Sequence, residues 1–245
     1  MTTIQDEEKV ALVTGAGRGI GRATALALAR AGYALCLAAR TRAELEATRN
    51  LTGLAPARSL IVLLDLADGE APAALFETAI GHFGRLDVLV NNAGWAPART
   101  PLLKTTPADL DRMIAVNLRA PIALARLAAA QMAQQPAGGA IVNVASSAAR
   151  SHAAGEAVYS ATKAGLVAFT HACYPEFRRS RIRTSVILPG LTDTALIPPN
   201  KRLDRAAMIQ PDDVAAAIMN VVNAAGASPL EIVLEPSRDP MGSRS

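Results

Sequence analysis

The chain has 245 residues, of which 51% are hydrophobic and 19% charged, and its formal net charge is +4. This length and composition predict one globular α/β domain over residues 1–245 and exclude an intrinsically disordered chain. The mild positive charge permits anionic ligands. The densest basic run, residues 178–183, has no interleaved aromatic residues, so we expect no nucleic-acid binding.

The N-terminal residues 1–9 are polar, and no uncharged apolar stretch reaches the ~18 residues that a membrane span needs. We therefore expect neither a signal peptide nor a membrane helix. The two cysteines, Cys36 and Cys173, lie far apart in segments predicted to be buried, which indicates a reducing compartment and a cytoplasmic protein. Residues 237–245 are rich in Ser, Arg, Pro and Gly and predict a mobile tail.

Short apolar runs alternate with longer helical segments along the whole chain. The apolar runs predict seven strands, at Lys9–Thr14, Tyr33–Ala39, Ser59–Leu64, Leu86–Val90, Ala140–Ala145, Ile182–Leu188 and Glu231–Leu234. The segments between them predict helices at Gly19–Ala31, Thr41–Leu51, Glu70–Phe83 and Pro107–Gln134, from Val158 onward, and after Pro211. Because the strands are continuous apolar runs, they predict a parallel sheet with helices on both faces, the doubly wound Rossmann fold. Pro175 lies inside the helix from Val158, where it predicts a kink or an early break near Tyr174.

A glycine-rich loop, residues 14–21 (TGAGRGIG), connects the first strand to the first helix. Its glycines permit a tight turn and a close approach of the backbone to a pyrophosphate, and the helix N-terminus supplies free N–H groups. The loop predicts contacts to a dinucleotide from Gly15, Gly17, Arg18, Gly19, Ile20 and Gly21. Taken alone, a glycine loop is also compatible with a purely structural turn.

The end of the second strand indicates which dinucleotide is bound. Folds that bind NAD usually carry an acid there for the ribose 2′-hydroxyl, whereas this chain has Ala39 and Arg40, and its next acid is Glu44. Arg40 and Arg18 suit a 2′-phosphate, which guanidinium groups bind through paired hydrogen bonds. We therefore predict NADP(H). The alternative is that Arg40 is a solvated residue at the start of a helix.

Tyr159 and Lys163 are four residues apart on a predicted helix, so their side chains share one face. A nearby ammonium lowers the pKa of a tyrosine from its ordinary value of about 10, and the pair can then exchange a proton with an alcohol or carbonyl. By spacing alone, such a pair also fits surface packing. Ser146 ends the fifth strand, where a hydroxyl can hydrogen-bond a reacting carbonyl oxygen, and the adjacent Ser147 is the alternative.

Five motifs in this order resemble the short-chain dehydrogenase/reductase family, and in particular its NADP(H)-preferring, 3-oxoacyl reductase-like members. They are Thr14-Gly15-x-x-x-Gly19-Ile20-Gly21, Asn91-Asn92-Ala93-Gly94, Ser146, Tyr159-x-x-x-Lys163 and Pro189-Gly190. The resemblance implies that Tyr159 is the general acid/base, that Lys163 lowers its pKa and binds the nicotinamide ribose, and that Ser146 orients the substrate carbonyl. It implies that Asn117 holds a proton-relay water. The implied cofactor contacts are Asp65 and its neighbour Leu66 at the adenine, Asn91, Ala93 and Gly94 along the adenosine, and Pro189, Gly190 and Thr194 beside the nicotinamide.

The expected function is NADP(H)-dependent reduction of a ketone or aldehyde, or oxidation of the matching alcohol, without a metal, in a homodimer or homotetramer. A non-catalytic NADP(H)-binding sensor or scaffold on the same fold is the alternative, and epimerisation or dehydration is a related chemistry. We expect the substrate to contact Trp95, Ala148–Gly155, Leu191 and a lid at Leu196–Leu203. Three cations near the lid either attract an anionic substrate tail or are solvated: Lys201, Arg202 and Arg205.

Overall fold

The computed structural model describes residues 8–197, 200 and 202–241, and a seven-stranded sheet lies at its centre. The strands are β1 (Val10–Thr14), β2 (Ala34–Ala39), β3 (Ser59–Leu63), β4 (Val88–Asn91), β5 (Gly139–Val144), β6 (Ile182–Pro189) and β7 (Glu231–Leu234). They lie in the order β3-β2-β1-β4-β5-β6-β7, and every neighbouring pair is parallel. The predicted Rossmann fold is therefore confirmed, with strand ends that differ from the predicted ones by at most two residues.

The strands are apolar throughout because both faces of the sheet are covered. Along β2, Leu35 and Leu37 belong to one core cluster, and Ala34, Cys36 and Ala38 belong to a second cluster on the opposite face. This follows from the alternation of side chains along a strand. The continuous apolar runs of the sequence thus correspond to strands buried on both sides.

Eight helices cover the two faces within the described residues. They are α1 (Gly19–Arg30), α2 (Arg42–Thr52), α3 (Ala71–Phe83), α4 (Pro107–Ile114), α5 (Ala120–Met132), α6 (Ala148–Ser151), α7 (Ala157–Phe177) and α8 (Pro211–Val222). Helices α1, α2 and α8 pack on one face of the sheet, and α3, α5 and α7 pack on the other. The one-turn helix α6 lies in a segment that we predicted as loop.

The predicted helix Pro107–Gln134 is continuous, but its hydrogen bonding changes in the middle. Between α4 and α5, residues Ala115–Arg119 form a π-helical turn. Pro121 explains the change, because it has no N–H to donate to the carbonyl of Asn117 four residues earlier. The whole helix is long and apolar enough to span a membrane, yet over half of its most apolar stretch is buried inside the protein, so it is a core helix.

Pro175 does not break its helix at Tyr174, so of the predicted kink or early break the break is wrong, and the kink stays a prediction. Helix α7 continues to Phe177 and passes into a 3-10 turn at Arg178–Ser180. Parts of three other predictions lie outside the described residues: most of the polar N-terminus, the end of the tail, and the lid cation Lys201.

Buried amides connect the centre of the sheet to the helices. The side chain of Asn91 in β4 donates to the Asn143 side-chain oxygen in β5 at 2.9 Å. Asn143 in turn donates to the Thr170 hydroxyl in α7 at 2.9 Å. All three side chains are buried, so the loss of one partner leaves polar groups unsatisfied away from water.

We predict that Asn143→Ala lowers the free energy of unfolding by about 2–3 kcal/mol, since it strips Asn91 and Thr170 of a partner and leaves a small cavity. Urea unfolding followed by circular dichroism measures the change. Asn223→Ala, at the exposed end of α8, is the matched control and should cost no more than about 0.5 kcal/mol. Equal costs for the two variants would contradict the prediction.

Candidate active site

The carboxyl ends of β1 and β4 meet at the point where the strand order reverses. Strands β2 and β3 lie to one side of this point, and β5, β6 and β7 lie to the other. Ligands of open parallel sheets bind in the crevice at such a point. The glycine loop follows β1, residues 91–94 follow β4, Ser146 follows β5, and Pro189-Gly190 ends β6. The predicted site residues from distant parts of the sequence therefore share one edge.

The glycine loop is tied directly to the exit of β4. The Thr14 hydroxyl accepts hydrogen bonds from the backbone N–H groups of Asn92 and Ala93, both at 3.0 Å. The Asn92 side chain donates back to the carbonyl oxygens of Thr14 at 2.9 Å and Gly15 at 3.3 Å. Sequence reasoning missed both roles, although the Asn91–Gly94 string was the signal that pointed to Asn92.

The structure explains why two positions of the loop, 15 and 21, are occupied by glycine. Gly15 has a φ of +65°, which favours glycine, and a methyl group there would press on Ala93 and Asn92. A methyl group at Gly21 would overlap the carbonyl oxygen of Gly15. The loop is consequently as tight as a pyrophosphate cradle at a helix N-terminus requires. The Ile20 side chain is partly buried and packs against the core.

Arg18, which we predicted to bind the 2′-phosphate, already has an acidic neighbour on the outer side of the glycine loop. The Arg18 guanidinium lies 3.6 Å from the Glu44 carboxylate in α2, and both side chains are partly exposed. Glu44 also contacts Gly17, where an added methyl group would lie 2.9 Å from the Glu44 Cβ. Arg40 is exposed at the end of β2, and its charge acts on Asp65. The structure thus places Arg18 beside Glu44 and Arg40 near Asp65, so each cation has an acidic neighbour.

Asp65, which we predicted at the adenine, is engaged by the protein. It accepts hydrogen bonds from the Ala67 backbone N–H at 3.0 Å and from the Arg112 guanidinium at 2.7 Å. Burial acts to raise the pKa of Asp65, but the Ala67 N–H and the Arg112 charge outweigh it and hold that pKa below its ordinary value. The Leu66 side chain points into the core, so only its backbone is available to a ligand.

A surface cavity of about 470 Å³ adjoins Asp65. It lies between the exit of β3 and the long helix, and its lining residues are Ala67, Asp111, Arg112, Ile114, Ala115 and Arg119. Arg112 forms one wall and also stacks over the Trp95 ring, 5.4 Å from its centroid. Arg112 thus connects this cavity to Asp65, and none of the lining residues is one of the predicted catalytic side chains.

Asn117 holds the loop that follows β4. Its side-chain oxygen accepts from the Trp95 backbone N–H at 2.7 Å, and its amide donates to the Trp95 carbonyl at 2.8 Å. The same amide reaches the Thr162 hydroxyl in α7 at 3.4 Å. The buried side chain is thus fully engaged as a clamp on Trp95. Asn117 lies in the π-helical turn, and such turns within α-helices often occur at functional sites.

The Ser146 side chain lies close enough to Tyr159 to act on it and lower its pKa, so of the two candidate serines it is Ser146 that faces the tyrosine. Ser147 instead donates its backbone N–H to the Pro189 carbonyl at 2.9 Å. The Lys163 ammonium lies 5.9 Å from the centre of the Tyr159 ring and donates to the Val144 carbonyl at 2.9 Å.

The electrostatics of this pair differ from the prediction. Burial raises the pKa of Tyr159, the Ser146 hydrogen bond opposes that shift, and the charge of Glu156 adds to it. Burial lowers the pKa of Lys163 to about 8. The expected lowering of the tyrosine pKa by Lys163 is therefore not found in the protein alone, where Tyr159 is a neutral phenol at pH 7.

Gly94 lies next to the catalytic candidates Asn117 and Lys163. A methyl group at this position would lie 3.6 Å from both the Asn117 side-chain oxygen and the Lys163 nitrogen. By contrast, the Asn91 side chain turns away from the crevice to Asn143 and to the Pro121 carbonyl. Any contact of Asn91 with a ligand is restricted to its backbone.

The exit of β6 closes the other side of the crevice. Gly190 donates its N–H to the Leu234 carbonyl at 2.8 Å. The Pro189 carbonyl accepts the Ser147 N–H at 2.9 Å, so Pro189 lies beside Ser147. Thr194 lies against Gly19, where an added methyl group would come within 3.2 Å of the threonine methyl. The segment that leads into the lid thus touches the glycine loop.

One of the lid cations is already bound within the protein. Arg205 pairs with Asp193 and donates to the Ile197 carbonyl at 2.8 Å. It therefore holds the two ends of the lid together, which accounts for its position better than attraction of an anionic substrate tail. Arg202 is exposed.

The sequence model for the short chain dehydrogenase family matches residues 9–203. D-erythrulose reductase from Gallus gallus is 38% identical over 218 residues, which cover 87% of this chain and 85% of that protein. A metagenomic short-chain oxidoreductase solved in complex with NADP has a TM-score of 0.81 at 33% identity, covering 94% of this chain and 98% of the other. The 3-ketoacyl-(acyl-carrier-protein) reductase from Brucella melitensis, complexed with NADH, has a TM-score of 0.86 at 28% identity over 96% and 99% of the two chains.

We predict that Asn117→Ala releases the Trp95 loop, because it removes both hydrogen bonds to the Trp95 backbone. Trp95 is the single tryptophan of the chain, so its fluorescence reports on this loop alone. The emission should shift to longer wavelength, and quenching by acrylamide should increase. Asn223→Ala serves as the control, and an Asn117→Ala spectrum that matches it would contradict the clamp.

Proposed function

Because the chain belongs to the short-chain dehydrogenase family, we propose that it is an NADP(H)-dependent oxidoreductase that reduces a ketone or aldehyde, or oxidises the matching alcohol. The observation that carries the proposal is the meeting of the Ser146 and Tyr159 hydroxyls beside the buried Lys163 ammonium, at the edge where the glycine loop begins. The family is one of dehydrogenases and reductases, and the relatives named above act on carbonyl compounds.

The residues around the crevice fit a dinucleotide. The loop of Gly15 and Gly21 leaves no room for side chains, and the N-terminus of α1 behind it offers free N–H groups. Gly94 keeps the volume above Lys163 and Asn117 open. When bound, NADP(H) supplies or accepts the hydride, and the protein positions the substrate and protonates its carbonyl oxygen.

Tyr159 is the proposed proton donor in the reducing direction. Burial keeps it as a phenol, the form that has a proton to give to the carbonyl oxygen as that oxygen gains charge. Ser146 would hydrogen-bond the same oxygen and orient it, as a preorganised donor. In the oxidising direction Tyr159 must act as phenolate, a form that the Lys163 charge favours.

Asn117 would contribute by positioning. Its side chain fixes Trp95, and the proline four residues later leaves its carbonyl without an α-helical donor. That carbonyl is the group through which Asn117 would hold a relay water near Lys163.

NADP(H) is preferred over NAD(H) in this proposal because Arg40 follows β2 directly, Arg18 of the glycine loop reaches Glu44 at the start of α2, and β2 ends in Ala39 and not in an acid. Glu44 is the one acid close to Arg18, and a 2′-phosphate would have to compete with it. One relative was solved with NADP and another with NADH, so the cofactor is a point for measurement.

The proposed substrate is a small ketone, aldehyde or 3-oxoacyl compound. The crevice wall is formed by the half-buried Trp95 and by the buried Ala148 and Ala149 of α6, and Arg205 is engaged within the lid. D-erythrulose and an acetoacetyl thioester represent the two carbonyl classes that the relatives suggest.

We further propose a cytoplasmic homodimer or homotetramer. The two cysteines are free and buried, which fits a reducing compartment. Several apolar side chains near the start of the long helix are exposed and fit a subunit contact: Leu102, Leu103, Leu110 and Ile114.

Tyr159→Phe should lower kcat/KM for NADPH-dependent reduction by about 100-fold or more, because it removes the proton donor, while the Kd for NADPH stays within about twofold. NADPH oxidation is followed at 340 nm with D-erythrulose and acetoacetyl thioester. Tyr174→Phe, on the same helix, is the matched control and should retain wild-type turnover. Tight NADPH binding by wild-type protein without turnover of either compound would favour the non-catalytic sensor.

Arg18→Ala and Arg40→Ala should each weaken NADPH binding by roughly tenfold and leave NADH binding nearly unchanged, since only NADPH carries the 2′-phosphate. Titration of nucleotide fluorescence gives both Kd values. The control is Arg42→Ala, whose charge pairs with Glu46 at 3.8 Å on the same helix as Glu44. Equal losses for NADPH and NADH would refute the assignment of these two residues.

A further inference from the structure

Two loops meet beside Tyr159 at the outer rim of the crevice. The N–H of Thr100, in the loop after β4, donates to the Gly155 carbonyl at 3.0 Å. The Arg99 guanidinium donates to the Glu156 carboxylate at 2.7 Å. We call these four residues, Arg99, Thr100, Gly155 and Glu156, the rim strap. The strap joins residues that are more than fifty positions apart in the sequence, so it ties the loop after β4 to the residues that precede α7.

The strap has a specific geometry. Gly155 has a φ of +80°, and a methyl group there would lie 3.2 Å from the Thr100 nitrogen and 3.3 Å from the Arg99 backbone carbon. Only glycine adopts this conformation without strain. The close approach of the two backbones is therefore built into residue 155, and it brings Arg99 and Glu156 together.

Glu156 is also the residue that precedes the first turn of α7. It lies three positions before Tyr159, and residues at this spacing are neighbours on a helix surface. Its side chain is only 21% exposed, whereas that of Arg99 is 71% exposed. The carboxylate thus sits in the wall of the site, with its cation on the solvent side.

We propose that Arg99 and Glu156 are positioning residues for the reaction: their ion pair closes the rim beside Tyr159, and the balance of the two charges sets how readily Tyr159 exchanges its proton. The inference rests on the role of Tyr159 in the proposed function. A bare carboxylate disfavours the phenolate, and a neighbouring guanidinium offsets that effect.

The tyrosine electrostatics support this inference. After burial and the Ser146 hydrogen bond, the Glu156 charge is the remaining cause of the shift, and it raises the pKa of Tyr159. The other charged groups nearby are Lys163 on the same helix, Arg150 of α6, which pairs with Glu231, and the exposed His152 in the connecting loop. Of the ion pair, Glu156 is the member whose charge acts on Tyr159, and Arg99 acts through its contact with Glu156.

The test uses the absorbance of ionised tyrosine, which needs no substrate. The chain has three tyrosines, so Tyr33→Phe/Tyr174→Phe leaves Tyr159 as the only one. In this background, Glu156→Gln removes the negative charge and keeps a hydrogen-bond acceptor for Arg99. Arg99→Gln removes the positive charge and keeps a donor for Glu156. Both preserve the strap and change only its charge.

The expected shifts have opposite signs. The midpoint of the Tyr159 titration should move to lower pH in Glu156→Gln and to higher pH in Arg99→Gln. Glu46→Gln and Arg42→Gln, an exposed pair on α2, should leave the midpoint unchanged. Circular dichroism at each pH establishes that the variants remain folded. Shifts in the same direction, or no shift in either variant, would overturn the proposal and leave the strap a purely structural contact.

A second readout connects the strap to turnover. Reduction of D-erythrulose by NADPH uses the phenol, so its rate should be lost as the pH rises through the pKa of Tyr159. In the otherwise wild-type chain, that loss should occur at lower pH in Glu156→Gln and at higher pH in Arg99→Gln. The tyrosine titration does not depend on activity, so its result and the turnover result are separate. Turnover without opposite shifts would contradict the role of the strap but not the reductase function. Opposite shifts without turnover would support the strap and contradict the reductase function.

Discussion

The hydrogen bonds between Thr14 and Asn92 are the joint on which the site depends. Strands β1 and β4 are adjacent in space, although more than seventy residues separate them in the sequence. The Thr14 hydroxyl accepts from two successive N–H groups of the β4 exit, and Asn92 returns a hydrogen bond to the Thr14 carbonyl. The glycine loop and the Gly94–Trp95 segment therefore cannot move independently. Because one segment cradles phosphates and the other borders Lys163, their joint fixes the span between the two ends of the crevice.

A chain of contacts extends from that joint to both ends. Asp65 binds Arg112, Arg112 stacks over Trp95, and Asn117 clamps the Trp95 backbone from the π-helical turn. Each link is polar and at least partly buried, where hydrogen bonds are strongest and unpaired groups most costly. The adenine end and the reaction end are thus parts of one packed network. Arg112 has a second consequence, since it already occupies one carboxylate oxygen of Asp65, so a ligand at Asp65 has the other oxygen or must displace the arginine.

The sequence predicted the fold because periodicity depends only on local order. Continuous apolar runs identified the strands, and their alternation with helices gave a parallel sheet whose carboxyl ends share one edge. The positions of Tyr159, Lys163 and Ser146 followed from that edge. What sequence could not supply were pairings set by tertiary contact: Glu44 with Arg18, Arg112 with Asp65, and the inward turn of Asn91. Pro175 shows the same limit, because packing of α7 outweighs the local preference for a break.

The catalytic pair illustrates why spacing predicts neighbours and not their charge states. Tyr159 and Lys163 share a helix face as expected, but burial acts on both and favours their neutral forms. Lys163 donates one hydrogen bond to the Val144 carbonyl, and glycine at position 94 leaves space next to the Lys163 nitrogen. A buried ammonium with donors to spare is costly unless a ligand accepts from them. Binding of a polar ligand in that space would therefore keep Lys163 as the ammonium to higher pH, and that charge would in turn favour the phenolate of Tyr159. The proton chemistry of the site is thus coupled to occupation of the crevice.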